Sequence, residues 1–401
     1  QYFENLFSAG ESHRVEECLN AVNHRMSPNM LNILSGEFSA DEVKTALFQM
    51  GPTKAPGPNS MNALFYQKFW HIVGNDVTNA VLDFLNSGFM MPELNYTHIV
   101  LIPKVKYPKK MSDFRPISLC NVIYKIISKV LANRLKLILP QLISPSQSAF
   151  VPGRLITDNV LVAYETLHAM HGRKKGKKGA IALKLDISKA YDRVEWSFLE
   201  GMLNKLGFPD EWIDRIMGCV TTSSFSVRLN GKAYGNFRPT RGLHQGDPFS
   251  PYLFLICAEA FSSLLTREEV VGRLHGVPIC RSAPSISHLL FADDSLVFCQ
   301  AKQEEVQVVS DVLNLYAAAS GQCINLEKSS VFFSSNTSKG HRDWIKSVLK
   351  VKEVDKFESY LGLPTLIGRS KYHAFAFLKE RVWKKIQGWK GKLLSKAVAQ
   401  S

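Results

Sequence analysis

Two apolar runs separated by a pair of acids constrain the fold of this chain more than any other stretch of its sequence. Residues His288 to Cys299 read His-Leu-Leu-Phe-Ala-Asp-Asp-Ser-Leu-Val-Phe-Cys. This pattern predicts a hairpin of two buried strands with Asp293 and Asp294 at the turn. Carboxylates beside apolar strands repel each other and lose hydration, so a divalent cation or water must meet them. A solvated Asp-Asp-Ser turn is the alternative, since acids also suit turns for local reasons.

A second acid closes another apolar strand far upstream of the hairpin. Ala180 to Leu185 form a short β-rich run that ends at Asp186, and we expect a helix from Ile187 to Leu199 after it. Strand ends can bring Asp186, Asp293 and Asp294 together on one sheet. Three such acids can hold two divalent ions about 3.5–4 Å apart, the arrangement that nucleotidyl transfer needs.

The charge balance favours a polyanionic partner. Among 401 residues, 49 are Lys or Arg and 35 are Asp or Glu, which gives a net charge of +14, and 45% hydrophobic content is enough for a large core. The seven cysteines form no C-x-x-C pair, so neither a zinc site nor a disulfide framework is indicated, and a reducing compartment fits best. No apolar run is long enough for a membrane span. The chain opens on Gln1, so we expect a piece of a longer polypeptide.

Local signals place the remaining elements. Ser39 and Glu42 form a capping box that starts a helix ending near Met50, and Asn230-Gly231 predicts a hairpin turn. Further segments are predicted as follows: strands at 98–103 and 330–333, a hairpin-like element at 360–364, a flexible basic loop at 171–179, and helices at 121–139 (stopped by Pro140), 252–265, 304–320 and 372–398.

The polar loop from Arg241 to Pro251 is a candidate ligand-binding element. Gln245 and Gly246 lie in its middle, and Ser250 is predicted as the N-cap of the helix that follows. Such loops present backbone N–H groups and a helix N-terminus to a phosphate or ribose. The alternative is a loop that only connects two elements and binds no ligand.

Taken in order, these segments resemble the reverse transcriptase of non-LTR retrotransposons of the plant LINE type and, more distantly, group II intron maturases. The matching segments are KAPGP (54–58), LIPK (101–104), RPISL (115–119), LDISKAYDRVEW (185–196), RGLHQGDPFSPYLF (241–254), FADDS (291–295), INLEKS (324–329) and YLGLP (360–364). They cover nearly the whole chain in the family's order, which makes the resemblance specific.

The resemblance implies a role for each matching residue. Asp186 and Asp293 match the metal-binding aspartates, with Asp294 as a less constant ligand, and the metal is expected to be two Mg²⁺ ions, with Mn²⁺ as a possible substitute. Lys328 matches the lysine that protonates the leaving pyrophosphate. Further matches are the aromatic residue that disfavours a ribose 2′-hydroxyl (Tyr191), the loop against the incoming nucleotide (Gln245, Gly246), the triphosphate contacts (Lys104, Arg115) and the primer grip (Tyr360, Leu361, Gly362).

The resemblance also implies an architecture and an activity. We expect an α+β right-hand polymerase with a lead-in or linker at 1–37, fingers at 38–180, a palm at 181–365 with an antiparallel sheet, and the truncated start of a helical thumb at 366–401 that carries Trp383 and Trp389. The expected reaction is RNA-directed DNA synthesis: a DNA primer's 3′-hydroxyl is extended with dNTPs on an RNA template. The expected location is nuclear or nucleocytoplasmic. The oligomeric state is not predicted.

Departures from the family pattern keep a second hypothesis open. Asn59-Ser60 stands where relatives usually have Asp-Gly, His244 where arginine is usual, and Phe249 where leucine is usual. None of them removes a predicted ligand. They are compatible with a non-catalytic nucleic-acid-binding remnant of such an element, whereas an RNA-copying RNA polymerase is disfavoured by Tyr191. We expect this segment to lack the family's neighbouring endonuclease and RNase H domains, and therefore alone neither to nick a target nor to degrade RNA.

Overall fold

A computed structural model describes residues 2–365, except 175, 177 and 281, together with helix Lys371–Lys390, in which the side chains of 371, 373, 374 and 388–390 are outside the description. The expected thumb therefore lies partly outside the described residues, at 366–370 and 391–401, as do the side chain of Trp389 and part of the basic loop at 171–179. None of the described helices is long and apolar enough to cross a membrane.

Helices make up most of the regular structure. The α-helices are α1 (Tyr2–Leu6), α2 (Val15–Leu19), α3 (Pro28–Ser35), α4 (Ala40–Phe48), α5 (Ala63–Lys68), α6 (Trp70–Ser87), α7 (Val122–Leu142), α8 (Ile156–Gly172), α9 (Trp196–Leu206), α10 (Asp210–Thr221), α11 (Ser250–Val270), α12 (Gln303–Ser320), α13 (Lys339–Leu349) and α14 (Lys371–Lys390). Short 3₁₀ turns occur at Met111–Asp113 and Tyr191–Arg193.

In the part of the chain that the structure describes, the strands form three sheets. They are β1 (Tyr96–Pro103), β2 (Phe114–Leu119), β3 (Ala180–Leu185), β4 (Ser224–Leu229), β5 (Lys232–Phe237), β6 (Val277–Pro278), β7 (Ser285–Ile286), β8 (His288–Phe291), β9 (Asp294–Gln300), β10 (Ser330–Phe333) and β11 (Lys352–Glu353). The central sheet has the order β11-β10-β3-β9-β8, the second has the order β2-β1-β4-β5, and β6 pairs with β7. Mixed helices and sheets confirm the α+β prediction at this coarse level.

The central sheet is buried on both faces, which explains why its strands read as nearly continuous apolar runs. On β3, Ile181, Leu183 and Leu185 face the large core that includes residues of α9, α11 and α12. Ala180 and Ala182 face a smaller core that contains Leu167 of α8 and Tyr360. Because both faces are covered, the ends of the strands are the places where polar side chains reach solvent.

The predicted hairpins are present. β8 and β9 pair antiparallel from His288↔Val297 to Phe291↔Asp294, so Ala292 and Asp293 form the turn and Asp294 begins β9. β4 and β5 are joined by Asn230 and Gly231, both with positive φ (49° and 83°), as a two-residue Asn-Gly turn requires. Tyr360 and Leu363 exchange backbone hydrogen bonds, which confirms the hairpin-like element there.

Three local predictions were wrong. Pro140 does not stop α7, because it lies in the last turn and buried Leu142 continues the packing to the end of the helix. The helix predicted from Ile187 begins only at Trp196, because Lys189 has a left-handed backbone (φ 55°) that interrupts it. Ser250 is not the N-cap of α11. Instead Asp247 Oδ2, just upstream, accepts hydrogen bonds from the backbone N–H groups of Phe249 and Ser250, both at 3.0 Å.

Of the three departures from the family pattern, the fold buries two and strains one. Ser60 has φ 60°, which glycine would adopt without strain but serine adopts at a cost in free energy. His244 is buried and its Nδ1 lies 3.2 Å from the Tyr124 hydroxyl, and Phe249 is buried in the large core. The N-terminal segment expected as a lead-in also packs onto the fold, since Phe3, Leu6 and Phe7 are buried.

Candidate active site

Strand pairing brings the candidate acids together. Leu185 of β3 pairs with Ser295 of β9, so the next residues outward, Asp186 and Asp294, lie beside each other at the end of the ladder. Opposite residues of an antiparallel pair have Cα atoms about 4.5–5.5 Å apart. Asp293 occupies the adjacent turn. The juxtaposition expected from the sequence is therefore present.

The turn that carries Asp293 is held by a segment that the sequence did not single out. Ala292 has φ 54°, which is strained for a residue with a Cβ. Its N–H donates to Gln147 Oε1 at 3.0 Å, and the same oxygen accepts from Ala149 N at 2.9 Å. Leu290 N donates to Ser146 O at 2.8 Å. Gln147 is 1% exposed, so a buried amide fixes the shape of the acidic turn.

The loop after α12 forms hydrogen bonds with the backbone of Asp186. Asp186 N donates to Ser329 Oγ at 3.1 Å, and Asn325 N donates to Asp186 O at 2.8 Å. Lys328 N donates to Asn325 Oδ1 at 3.2 Å, which attaches Lys328 to the same loop. Lys328 is exposed, and its side chain is free to reach into the space beside Asp186.

A cavity of about 1080 Å³ opens in front of these acids. Its lining includes the following predicted site residues: Lys104, Arg115, Asp186, Tyr191, Gln245, Gly246, Asp293 and Lys328. Asp294 and the Tyr360–Gly362 element are not among the lining residues. The cavity is also lined by residues that were not among the predicted site residues: Tyr2, Lys110, Phe150, Lys189 and Arg193. Acids and cations therefore share one cavity.

Asp293 and Asp294 have raised pKa values in the free protein. Partial burial raises the pKa of Asp293, and the neighbouring Asp186 raises it further, while Arg115 lowers it. Burial also raises the pKa of Asp294, followed by the charge of Asp293. Like charges crowded at a cavity wall need a cation, so these pKa shifts are of the kind that metal sites show.

The donor chemistry fits magnesium bound jointly by protein and substrate. Within the described ranges, no group of three acidic, histidine or cysteine side chains is arranged to hold a metal ion. Magnesium is usually bound by one or two carboxylates together with substrate phosphates and water, rather than by an all-protein cage. Asp186 and Asp293 supply two hard oxygen ligands that line the cavity. Asp294 does not line the cavity, and Lys184 beside it only partly offsets the rise in its pKa, so it is less well placed for this role.

Tyr191 and Gln245 line the cavity, and contacts with neighbouring side chains fix their positions. The Tyr191 ring stacks on Phe254, with centroids 5.0 Å apart and an interplanar angle of 18°. Gln245 Nε2 donates to Asp192 Oδ1 at 2.6 Å, and Gln245 O accepts from Ser118 N at 2.8 Å. Asp192 is fully buried, and its second oxygen has no partner among the described residues. Asp192 was not among the predicted site residues, because it lies in a short 3₁₀ turn without periodicity.

The predicted primer-grip element is tied to the acidic hairpin. Tyr360 is 1% exposed, so its side chain faces inward and leaves only the backbone turn at Leu361 and Gly362 toward solvent. Its hydroxyl donates to Asn159 Oδ1 at 2.8 Å. Asn159 Nδ2 in turn donates to Leu290 O at 3.0 Å in the strand before the acidic turn. Asn159, which the sequence did not single out, thus links the two elements.

Comparison with known proteins agrees with this geometry. Residues 103–365 match the family model described as reverse transcriptase (RNA-dependent DNA polymerase). The chain is 29% identical over 362 residues, 89% of its length, to the uncharacterized 149 kDa protein of transposon TX1 from Xenopus laevis, of which this covers 27%.

Two further relatives are described as retrovirus-related Pol polyproteins of retrotransposable elements. The protein of element R2 from Nasonia vitripennis is 31% identical over 266 residues, 66% of this chain and 24% of the relative. The protein of element R2DM from Drosophila melanogaster is 28% identical over 241 residues, 60% of this chain and 22% of the relative. The chain thus spans about a quarter of the length of these relatives.

The buried Asp192 predicts an unusual pH dependence of stability. Burial raises its pKa from 3.8 to about 6, so between these values the folded state binds a proton that the unfolded state has lost. Proton binding to Asp192 therefore favours the folded state at low pH, and this contribution to the free energy of unfolding is lost as the pH rises through about 6. Asp192→Asn keeps a carbonyl oxygen for Gln245 and cannot ionise. We expect the variant to be more stable than wild type at pH 7 by on the order of 1–3 kcal/mol, and the difference to shrink toward pH 4.

Urea unfolding at pH 4, 5, 6 and 7 measures this difference, with the exposed Asp76→Asn in α6 as the matched control. A constant difference between Asp192→Asn and wild type across this range would contradict the assignment.

Proposed function

The chain belongs to the reverse transcriptase family, and on that premise we propose that it is the polymerase core that copies RNA into DNA for a retrotransposon. Family membership confirms the resemblance drawn from the ordered sequence motifs, and retrotransposon-encoded relatives support the context. The plant LINE type is part of the proposal. The substrates proposed are an RNA template, a DNA primer and dNTPs.

One observation carries this proposal: Asp186 and Asp293 line the same cavity as Lys104 and Arg115. A site for a nucleoside triphosphate needs both kinds of residue. Cationic side chains bind its phosphates, and carboxylates bind the metal ions that act at the reacting phosphorus. The net charge of +14 favours the nucleic acid that must lie against the cavity.

The proposed architecture is a right hand. Residues 181–365, with the acids and the central sheet, which is antiparallel except for the parallel β10–β11 pair, would form the palm. Residues 38–180, with β1 and β2, would form the fingers. The helix Lys371–Lys390 would begin the thumb, and the exposed Trp383 on it would face nucleic acid. The backbone turn at Leu361 and Gly362 would be the primer grip, and Tyr360 would support it from inside.

The predicted site residues have the following parts in the proposed reaction. Asp186 and Asp293 would hold two Mg²⁺ ions, which Mn²⁺ could replace, and Asp294 would be an accessory carboxylate. When bound, the metal supplies charge that lowers the pKa of the primer 3′-hydroxyl and stabilises the leaving oxygen. Lys104 and Arg115 bind the triphosphate. Lys328 donates a proton to the leaving pyrophosphate.

Selection of the nucleotide rests on two further residues. The stacked ring of Tyr191 occupies the space where a ribose 2′-hydroxyl would lie, so deoxynucleotides are preferred. The Gln245–Gly246 segment lies against the incoming nucleotide, and Asp192 fixes the orientation of the Gln245 amide by accepting from its nitrogen. The amide oxygen is thereby left free to accept a hydrogen bond from the nucleotide.

Primer extension tests the proposed function. With an RNA template, a DNA primer, dNTPs and Mg²⁺, we expect extension by the wild type and at least about a hundredfold slower extension by Asp293→Asn, since a metal ligand is lost. Asp355→Asn, which is exposed and outside the cavity, is the matched control and should behave as wild type. Equal extension by Asp293→Asn and wild type would contradict the proposal. Nucleic-acid binding without incorporation, even with Mn²⁺, would instead support a non-catalytic remnant.

Competition between dNTPs and NTPs tests the role of Tyr191. Removing the ring in Tyr191→Ala opens the space for a 2′-hydroxyl, and we expect the ratio of NTP to dNTP incorporation to rise by about tenfold or more. Tyr191→Phe keeps the ring and its stacking on Phe254, so its discrimination should remain close to that of wild type. If Tyr191→Ala discriminates as well as Tyr191→Phe, the ring does not select the sugar.

A further inference from the structure

Lys189 is held in an unusual way at the wall of the cavity. It lies on the loop between Asp186 and Tyr191, with a left-handed backbone (φ 55°). This conformation costs free energy for a residue with a side chain and persists only where the surroundings fix it. The side chain is half-buried, and Nζ donates a hydrogen bond to Phe114 O at 3.1 Å, at the start of β2.

Lys189 completes a cluster of three cations from three separate elements. Its ammonium group lies beside that of Lys104, which follows β1, and within electrostatic range of Arg115 on β2. Burial first, and then Lys104, lower the pKa of Lys189 to about 8, with a further contribution from Arg115. Asp192 is the acid that opposes these charges around Lys189, and it already accepts a hydrogen bond from Gln245.

Such a cluster is unfavourable in the free protein and favourable around a polyanion. Three positive groups near one another repel, and partial burial of one of them removes hydration that would screen the repulsion. An ammonium group has three donors, and Phe114 O accepts only one of them, so two remain for a ligand. All three cations line the cavity that Asp186 and Asp293 also line.

We propose that Lys189 is a third phosphate-binding cation, which together with Lys104 and Arg115 forms a site for the triphosphate of the incoming nucleotide. The inference rests on the proposed function, because it assigns the substrate of that cavity. It extends the two triphosphate contacts expected from the family resemblance to a residue that the resemblance did not assign. A purely structural role, in which Lys189 only ties its loop to β2, is the competing explanation.

Kinetics separate the two explanations. Lys189→Met keeps the length of the side chain but removes the charge, and we expect the KM for dNTP to rise about tenfold with little change in kcat. Lys189→Arg keeps a cation with several donors and should stay within a few-fold of wild type. Lys106→Met, which is exposed and outside the cavity lining, is the matched control and should leave KM unchanged.

The pH dependence provides a second, independent readout. Since the pKa of Lys189 is about 8, the wild type loses this positive charge as the pH rises above that value, and its KM for dNTP should rise there. Arginine stays protonated in this range, so Lys189→Arg should show a flatter profile. The other groups that face Lys189 are Lys104, Arg115 and Asp192.

Equilibrium binding tests the site without any chemistry. Isothermal titration with inorganic tripolyphosphate and with dTTP is expected to show tight binding to wild type and Lys189→Arg and about tenfold weaker binding to Lys189→Met. This result would support the anion site even if primer extension failed. Tripolyphosphate and dTTP binding by Lys189→Met equal to wild type would overturn the proposal. Weak binding by both variants with a lowered Tm would also overturn it, because it would assign Lys189 to packing of the loop.

Discussion

The antiparallel pairing of β3 with β9 is the interaction on which the rest of the site depends. It brings Asp186, at the end of one strand, beside the Asp293–Asp294 turn at the start of the other, although the chain between them is long. Side chains alternate along a strand, so a slip of one residue would turn the apolar residues of β3 toward the wrong core and separate the acids. The cores on the two faces of the sheet thus also fix the geometry of the carboxylates.

Buried polar side chains, rather than further packing, hold the elements around that pairing. Gln147 supports the strained turn at Ala292, Ser329 accepts from the backbone of Asp186, and Asn159 connects the Tyr360 element to the same hairpin. Each is a short, directed contact between segments far apart in sequence. A reaction that requires metal ligands, primer terminus and triphosphate to meet within a fraction of an ångström depends on supports of this kind.

The sequence predicts the strands that carry the acids, because their apolar runs, turn residues and terminal aspartates follow local rules. The Asn-Gly turn, the capping box at Ser39 and the Asp293 hairpin belong to the same class of local signals. Gln147, Asp192 and Lys189 could not be predicted, because their positions depend on tertiary contacts and on left-handed backbone geometry. The capping role of Asp247 in place of Ser250 was missed for a similar reason: several acceptors near a helix start compete, and the three-dimensional turn decides between them.

The central claim is that Asp186 and Asp293, juxtaposed by the sheet, bind a divalent cation together. Equilibrium Mn²⁺ binding followed by electron paramagnetic resonance in the presence of dNTP tests it most directly. The account predicts that Asp186→Asn and Asp293→Asn each weaken Mn²⁺ binding by about tenfold or more, and that the double variant is little worse than either, since the ions need both carboxylates. Unchanged Mn²⁺ affinity in both single variants would contradict it.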